Sequence, residues 1–514
     1  VTDPRIPVHG NLIDGTWQEA MSGELFPSTD PADGRRVLAA HAASGPGDIA
    51  EAVAAARRAQ PAWRATPAPR RGEILFRFAG LLAEHKERLA LQVVHEMGKV
   101  LAEARGDVQE AIDIAYLMAG EGRRMAGETV RSELPDKWAM SVREPLGVAG
   151  LITPWNFPTA IPMWKAMPAL VAGNTIVLKP ASATPGCAVL LAELLVEAGF
   201  PPGTVNLVTG SGEMAGAELV DNPDVPVISF TGSAETGRTI AARAGRRLKR
   251  LSLELGGKNA ILVAEDADLE LAVEGILWSA FGTTGQRCTA ASRVIVVDAV
   301  ADRLVERLVE RTRALRVGPG VDPATEVGPL ISAAARERTE DYLGVGIADG
   351  ARHLCGGERP ADPALAHGWY LTPAILDGVD PMSRVGQEEV FGPLLSIIRV
   401  PDLDAAVPAA NQVAYGLSSS IYTQDLATAF RMMSALTTGL VYVNAGTIGA
   451  ETHLPFGGMR ASGNGHREAG HAALDTYTEW KAIYVDYSGR LQRAQIDNQP
   501  APGDGAPGGR SPGR

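Results

Sequence analysis

VAGLI (148–152), NTIVLK (174–179), TVNLV (204–208), VISF (227–230) and RLSLEL (250–255) are five short apolar runs that decide the fold. Helical spacing fills the intervals at 186–198, 213–220 and 234–244. Runs this apolar, separated by helices, read as strands buried on both faces of a mostly parallel sheet. Dinucleotides bind at the carboxyl ends of such strands.

Downstream the alternation resumes. Strands are expected at NAILVA (259–264), SRVIVV (292–297), LLSIIRV (394–400) and GLVYVN (439–444), and helices at 268–282, 300–314 and 332–348. Upstream, helical patterning begins at Asp48 with Glu51 three residues on, and similar spacing covers 73–97 and 103–124. WKAIYVDY (480–487) is a late strand whose candidate partners are residues 137–144 or a second subunit. The fold class is therefore α/β, and 514 residues with 45% hydrophobic content leave room for two or three domains. Residues 499–514, rich in proline and glycine, are expected to be a disordered tail.

A formal net charge of −12 argues against a nucleic-acid partner. The N-terminus lacks the basic and apolar sequence of a secretory signal. The most apolar window, 160–178, is interrupted by Pro162, Lys165, Pro168, Gly173 and Asn174, so no membrane span is expected. Three cysteines form no disulfide framework. A cytoplasmic protein is the expectation, and no metal site is called for.

Several motifs carry chemistry, each with a plainer alternative. Gly210-x-Gly212-x-x-Ala215 is either a dinucleotide turn or an ordinary strand-to-helix turn. Gly232-Ser233-Ala234-Glu235-Thr236-Gly237-Arg238 resembles a phosphate loop but has Arg where that loop needs Lys, which argues against nucleotide hydrolysis. A helix N-terminus after Thr231-Gly232-Ser233 could still seat a pyrophosphate. Cys288, in FGTTGQRCT (281–289), is a nucleophile or a structural thiol, whereas Cys187 and Cys355 read as structural. Glu254, at the end of a strand in LELGGKN (253–259), is a general base or a solvated turn residue. Asn156, framed by prolines in TPWNFP (153–158), is an oxyanion donor or a turn cap.

Together, ITPWNFP (152–158), IVLKPAS (176–182), FTGSAETGR (230–238), LELGGKN (253–259), GQRC (285–288), EEVFGP (388–393) and PFGG (455–458) resemble the aldehyde dehydrogenase superfamily, in order along the chain. The resemblance implies two Rossmann-like doubly wound domains and a small bridging sheet. The NAD(P)-binding domain would comprise 1–126 and 147–257, the catalytic domain 258–455, and the bridging, oligomerisation sheet 127–146 with 477–490. A homodimer or homotetramer is implied.

The same resemblance assigns roles. Cys288 would attack the aldehyde, the Asn156 amide and the Cys288 N–H would hold the oxyanion, and Glu254 would activate water against the thioester. NAD or NADP would lie against Ile152, Thr153, Pro154, Trp155, Lys179, Ser182, Gly212, Thr231, Gly232, Ser233 and Thr236, with Glu389 and Phe391 at the nicotinamide ribose and ring. Ser182 stands where NAD-preferring relatives often carry Glu, so NADP is expected to be accepted, with Lys179 pairing its extra phosphate. Trp164 and Phe456 would line the aldehyde tunnel. Arg287 would face a carboxylate tail, as in a semialdehyde acid, or the scaffold. Thr447, Glu451 and His453 are further candidates for contact with a polar tail.

The implied reaction is oxidation of an aldehyde to its acid through a cysteine thiohemiacetal and thioester. Competing readings are a coenzyme-A-acylating relative, disfavoured by Glu254, and a non-catalytic protein on the same fold.

Overall fold

The computed structural model describes residues 5–496, so the tail expected at 499–514 lies outside the described residues. All five decisive runs form strands, ordered Arg250–Glu254, Val227–Thr231, Val148–Ile152, Thr175–Lys179, Val205–Leu207, each parallel to its neighbour. Alternate side chains enter two different cores. Ala149, Leu151, Ile176 and Leu178 pack on one face with the helices that include Leu170 and Leu191. Val148, Ile152, Val177 and Ile228 pack on the other with Ile49, Val53 and Ile240. This two-sided burial explains why the runs are continuously apolar rather than alternating.

The helix expected from Asp48 forms as Pro46–Ala65, but strands not expected from the sequence precede it. Strands Asn11–Ile13 and Thr16–Gln18 extend this sheet to seven among the described residues, the first pairing antiparallel with Val205–Leu207. Leu25–Asp30 and Asp33–Ala42 form a further hairpin. These strands are short or partly exposed, so they leave little hydrophobic periodicity to read. The spacing over 73–97 resolves into two helices, Ala68–Glu84 and Lys86–Met97, broken at His85.

A second seven-stranded sheet runs Arg352–Cys355, Ala374–Asp377, Leu394–Val400, Ala291–Val297, Asn259–Val263, Ser418–Tyr422, Leu440–Val443, parallel except for its first pair. Thr478–Asp486 pairs antiparallel with Lys137–Pro145, which also pairs with Thr129–Arg131. The late strand therefore finds its partner within the chain.

Candidate active site

The strand ends of the first sheet open into a cleft of about 690 Å³. Ile152, Thr153, Pro154, Trp155, Lys179, Ser182, Gly212, Thr231, Gly232, Ser233 and Thr236 all line it. Ser233 caps helix Ala234–Gly245, its Oγ accepting the Thr236 N–H at 3.2 Å. The first free N–H groups of that helix therefore face the cleft, as an anion site requires. Gly210-x-Gly212 enters a π-helical turn, Gly212–Gly216, rather than a regular helix. Ser182 Oγ donates to the Gly210 carbonyl at 2.8 Å.

Two observations test whether a dinucleotide suits this cleft. Burial alone lowers Lys179 to about 8, with no carboxylate offsetting it, which marks a desolvated cation in need of an anion. The hydroxyls of Thr153 and Thr231 are buried without a hydrogen-bond partner. Buried polar groups are rarely left so. A phosphate- and ribose-bearing ligand supplies acceptors and donors for all three.

A chamber of about 60 Å³ holds the candidate chemistry. Cys288, Glu254, Trp164, Phe456 and Arg287 line it, as do Glu110, Phe157 and Glu468. The Trp164 and Phe456 rings meet edge to face, centroids 5.1 Å apart. Thr231 borders both this chamber and the cleft, so the two spaces adjoin.

Cys288 follows helix Leu269–Phe281 and the turn Gly282–Gly285. It is half-buried, while Cys187 and Cys355 are buried. Burial pushes its thiol up to about 12, with the Glu389 and Glu254 carboxylates adding to the rise. The turn before it is unusual: Thr283, Thr284 and Gly285 have φ of 52°, 57° and 69°. A Cβ at Gly285 would also collide with the Gly392 carbonyl. For the two threonines the left-handed conformation costs on the order of 1–3 kcal/mol each, so other contacts must hold the turn.

Asn156 is buried, and its Nδ2 donates to the Gln286 carbonyl at 3.1 Å. An amide carries two hydrogens, so one remains for a second acceptor. Glu254 ends its strand buried, and no side chain donates to its carboxylate, which faces the Gly458 N–H. Burial raises it well above the usual carboxylate range, the Glu468 carboxylate adds to this, and Lys165 and Arg467 oppose it. Lys165 donates to Glu468 and, at 3.0 Å, to Ser229.

The remaining candidates are distributed unevenly. Glu389 accepts the Gly257 N–H at 2.9 Å and burial raises it to about 7. Phe391, at φ 60°, meets Trp155 edge to face at 5.6 Å. Arg287 serves the scaffold as well as the chamber wall: its Nε donates to Thr283 Oγ1 at 2.8 Å and its guanidinium lies 3.5 Å from Glu103. Thr447 is fully buried and donates to the Thr289 carbonyl at 2.7 Å, so it does not face a substrate tail. Glu451 and His453 are exposed and pair with each other. Sequence reading missed Glu110, Lys165 and Glu468. Glu468 and Lys165 lie 303 residues apart, and only folding makes them a pair.

A cleft suited to a phosphate- and ribose-bearing ligand adjoins a chamber with a half-buried cysteine, an arrangement that accords with a cofactor-dependent oxidoreductase. A family model for the aldehyde dehydrogenase family matches residues 17–483, and the chain belongs to that family. It oxidises an aldehyde to a carboxylic acid with NAD(P)+. An alpha-ketoglutarate semialdehyde dehydrogenase of Haloferax volcanii is 43% identical, over 95% of this chain and 100% of its own. An NADP+ succinate-semialdehyde dehydrogenase of Escherichia coli is 42% identical, over 92% and 97%. The NAD+ complex of Staphylococcus aureus betaine aldehyde dehydrogenase superposes with a TM-score of 0.92 at 34% identity, covering 94% of this chain and 96% of that one.

Among the described residues, no helix is long and apolar enough to cross a membrane.

Proposed function

We propose that Cys288 is the nucleophile of a hydrolytic aldehyde dehydrogenase, with Asn156 as oxyanion donor and Glu254 as general base. The observation that carries this reading is that Cys288 and Glu254 line one small chamber beside the cofactor cleft. Attack by Cys288 Sγ on the aldehyde carbon, with the thiol proton released to solvent water, forms a thiohemiacetal oxyanion. The Cys288 N–H and the second Asn156 hydrogen meet the developing oxyanion. A bound nicotinamide supplies the hydride acceptor, lying against the cleft residues named above with Glu389 and Phe391 nearby. The thioester left on Cys288 is attacked by water, whose proton goes to Glu254. A desolvated carboxylate with no side-chain donor bonded to it is a strong base once ionised, and general-base help is worth roughly 10²–10⁴ in rate. Transfer to coenzyme A needs no such base, so the same carboxylate favours water over a thiol acceptor.

NADP is accepted in this reading, because Ser182 places no carboxylate where a 2′-phosphate would sit and Lys179 supplies an unmatched charge. The substrate is a semialdehyde acid. Support comes from relatives that carry that activity in their names and from Arg287 on the chamber wall. The two seven-stranded sheets support a cofactor domain at 1–126 and 147–257 and a catalytic domain at 258–455, and the sheet containing Thr478–Asp486 supports a bridging sheet at 127–146 and 477–490. Trp480 and Tyr484 stand more than half exposed on that last sheet, which supports a homodimer or homotetramer. Free cysteines accord with a cytoplasmic location.

The test is turnover of semialdehyde, aliphatic and cationic aldehydes with NAD+ and NADP+, followed by nicotinamide absorbance, beside a Cys288→Ala variant. Semialdehyde turnover with both cofactors, abolished in the variant, is expected. Full activity in Cys288→Ala would overturn the reading.

A further inference from the structure

Helix Leu101–Glu121 turns three acidic side chains toward the site, Glu103, Asp107 and Glu110, at the i, i+4, i+7 spacing of one helix face. Each does something different. Glu110 lines the aldehyde chamber. Asp107 accepts from Thr159 Oγ1 at 2.6 Å, the Ala160 N–H at 2.7 Å and Lys99 Nζ at 3.2 Å, which seats the start of helix Ala160–Ala172 carrying Trp164 and Lys165.

Glu103 reaches the turn before Cys288. It is buried, and both of its carboxylate oxygens lie 2.9 Å from the Thr283 N–H. Its Oε2 also accepts from Thr283 Oγ1 at 3.0 Å, and its Oε1 lies 3.5 Å from the Arg287 guanidinium. Arg287 returns to the same Thr283 hydroxyl. One carboxylate therefore holds Thr283 by main chain and side chain and balances the charge next to Cys288.

Other contacts complete the hold. Thr284 Oγ1 donates to the Gly328 carbonyl at 3.0 Å, and Gln286 Oε1 accepts the Ile331 N–H at 2.9 Å. These bonds involve neutral groups, whereas the Glu103 carboxylate also faces the Arg287 guanidinium. The clamped turn then delivers two parts of the site together: Cys288 itself, and the Gln286 carbonyl that orients the Asn156 amide.

We propose that Glu103 is a positioning residue for the oxidation: its carboxylate fixes the left-handed Thr283–Thr284 turn and so sets Cys288 Sγ and the Asn156 amide relative to each other. The proposal rests on the reading of Cys288 as nucleophile and Asn156 as oxyanion donor. Misplacing a reacting group by about 1 Å can cost on the order of 10² in rate. Glu103→Gln keeps the shape but loses one acceptor and the charge facing Arg287, so it should lower kcat on the order of 10-fold. The KM for the cofactor should stay within about twofold, because the cleft is untouched.

The experiment compares wild type, Glu103→Gln, Glu103→Ala and Cys288→Ala. Steady-state kcat and KM are measured, together with the rate at which iodoacetamide labels the Cys288 peptide, read by mass at a temperature where every variant is folded. The expected result is a parallel fall in kcat and in Cys288 labelling in Glu103→Gln, and a larger one in Glu103→Ala. A folded Glu103→Gln protein with wild-type kcat and labelling, beside an inactive Cys288→Ala, would overturn the positioning role and leave the nucleophile assignment standing. A lowered melting temperature alone, with both rates unchanged, would reduce Glu103 to a structural residue and overturn it equally. Turnover surviving in Cys288→Ala would instead defeat the underlying reading.

Discussion

The side-chain amide of Asn156 is tied to the main-chain carbonyl of Gln286, two residues before Cys288, at 3.1 Å. The proposed oxyanion donor and nucleophile are thereby referred to the same loop. Asn156→Ala removes a preorganised donor and should lower kcat by roughly 10²–10³, as loss of one oxyanion donor typically does. Steady-state kinetics checks this, with circular dichroism confirming an intact fold. A variant with unchanged kcat would leave the oxyanion to the backbone alone.

The buried Glu254 carboxylate has no side-chain hydrogen-bond donor. Glu254→Gln should form one equivalent of reduced cofactor quickly and then nearly stop, because thioester hydrolysis loses its base. Stopped-flow absorbance separates the two phases. Absence of a first burst would place Glu254 earlier, as the acceptor of the Cys288 thiol proton.

Burial lifts Glu110 to about 7, with Asp107 adding to the rise and Arg287 and Lys99 opposing it. Below that pH the carboxyl is neutral, and above it the chamber wall gains a negative charge. The KM for an aldehyde bearing a carboxylate should therefore climb as pH rises from 6 to about 8.5, while that of a cationic aldehyde should fall. In Glu110→Gln both profiles should flatten. A carboxylate substrate whose KM is insensitive to pH in the wild-type protein would remove Glu110 from substrate contact.

Ser182 faces the cofactor cleft with its hydroxyl committed to the Gly210 carbonyl. Ser182→Glu should weaken NADP+ far more than NAD+, by on the order of 10-fold or more in the ratio of dissociation constants. Titration of protein fluorescence with each dinucleotide measures that ratio directly. Equal effects on both cofactors would mean that this position does not see the 2′-phosphate.

Strands buried on both faces were legible because they leave unbroken apolar runs, as at 148–152 and 394–400, whereas the short strands Asn11–Ile13, Thr16–Gln18, Arg352–Cys355 and Ala374–Asp377 were not. Nor was strand Ser418–Tyr422, since three consecutive serines look like a loop. Each finds its own acceptor or partner: the Thr447 carbonyl for Ser418, Thr438 Oγ1 for Ser419, the Ala445 carbonyl for Ser420. The site shows the same division. Motif residues such as Cys288, Glu254 and Asn156 could be named from their neighbours in sequence. Glu103, Asp107 and Glu110 read as the polar face of a helix, because nothing local distinguishes a solvated carboxylate from one buried against Thr283 or Thr159.

In the proposed mechanism the acyl group passes through Cys288. Acid quenching of Glu254→Gln during its first turnover, followed by peptide mass analysis, tests it most directly. The expected result is the mass of the acyl group of the aldehyde used, carried by the peptide containing Cys288 and released by hydroxylamine. Reduced cofactor formed stoichiometrically with an unmodified Cys288 peptide, or with the adduct on Cys187 or Cys355, would contradict it.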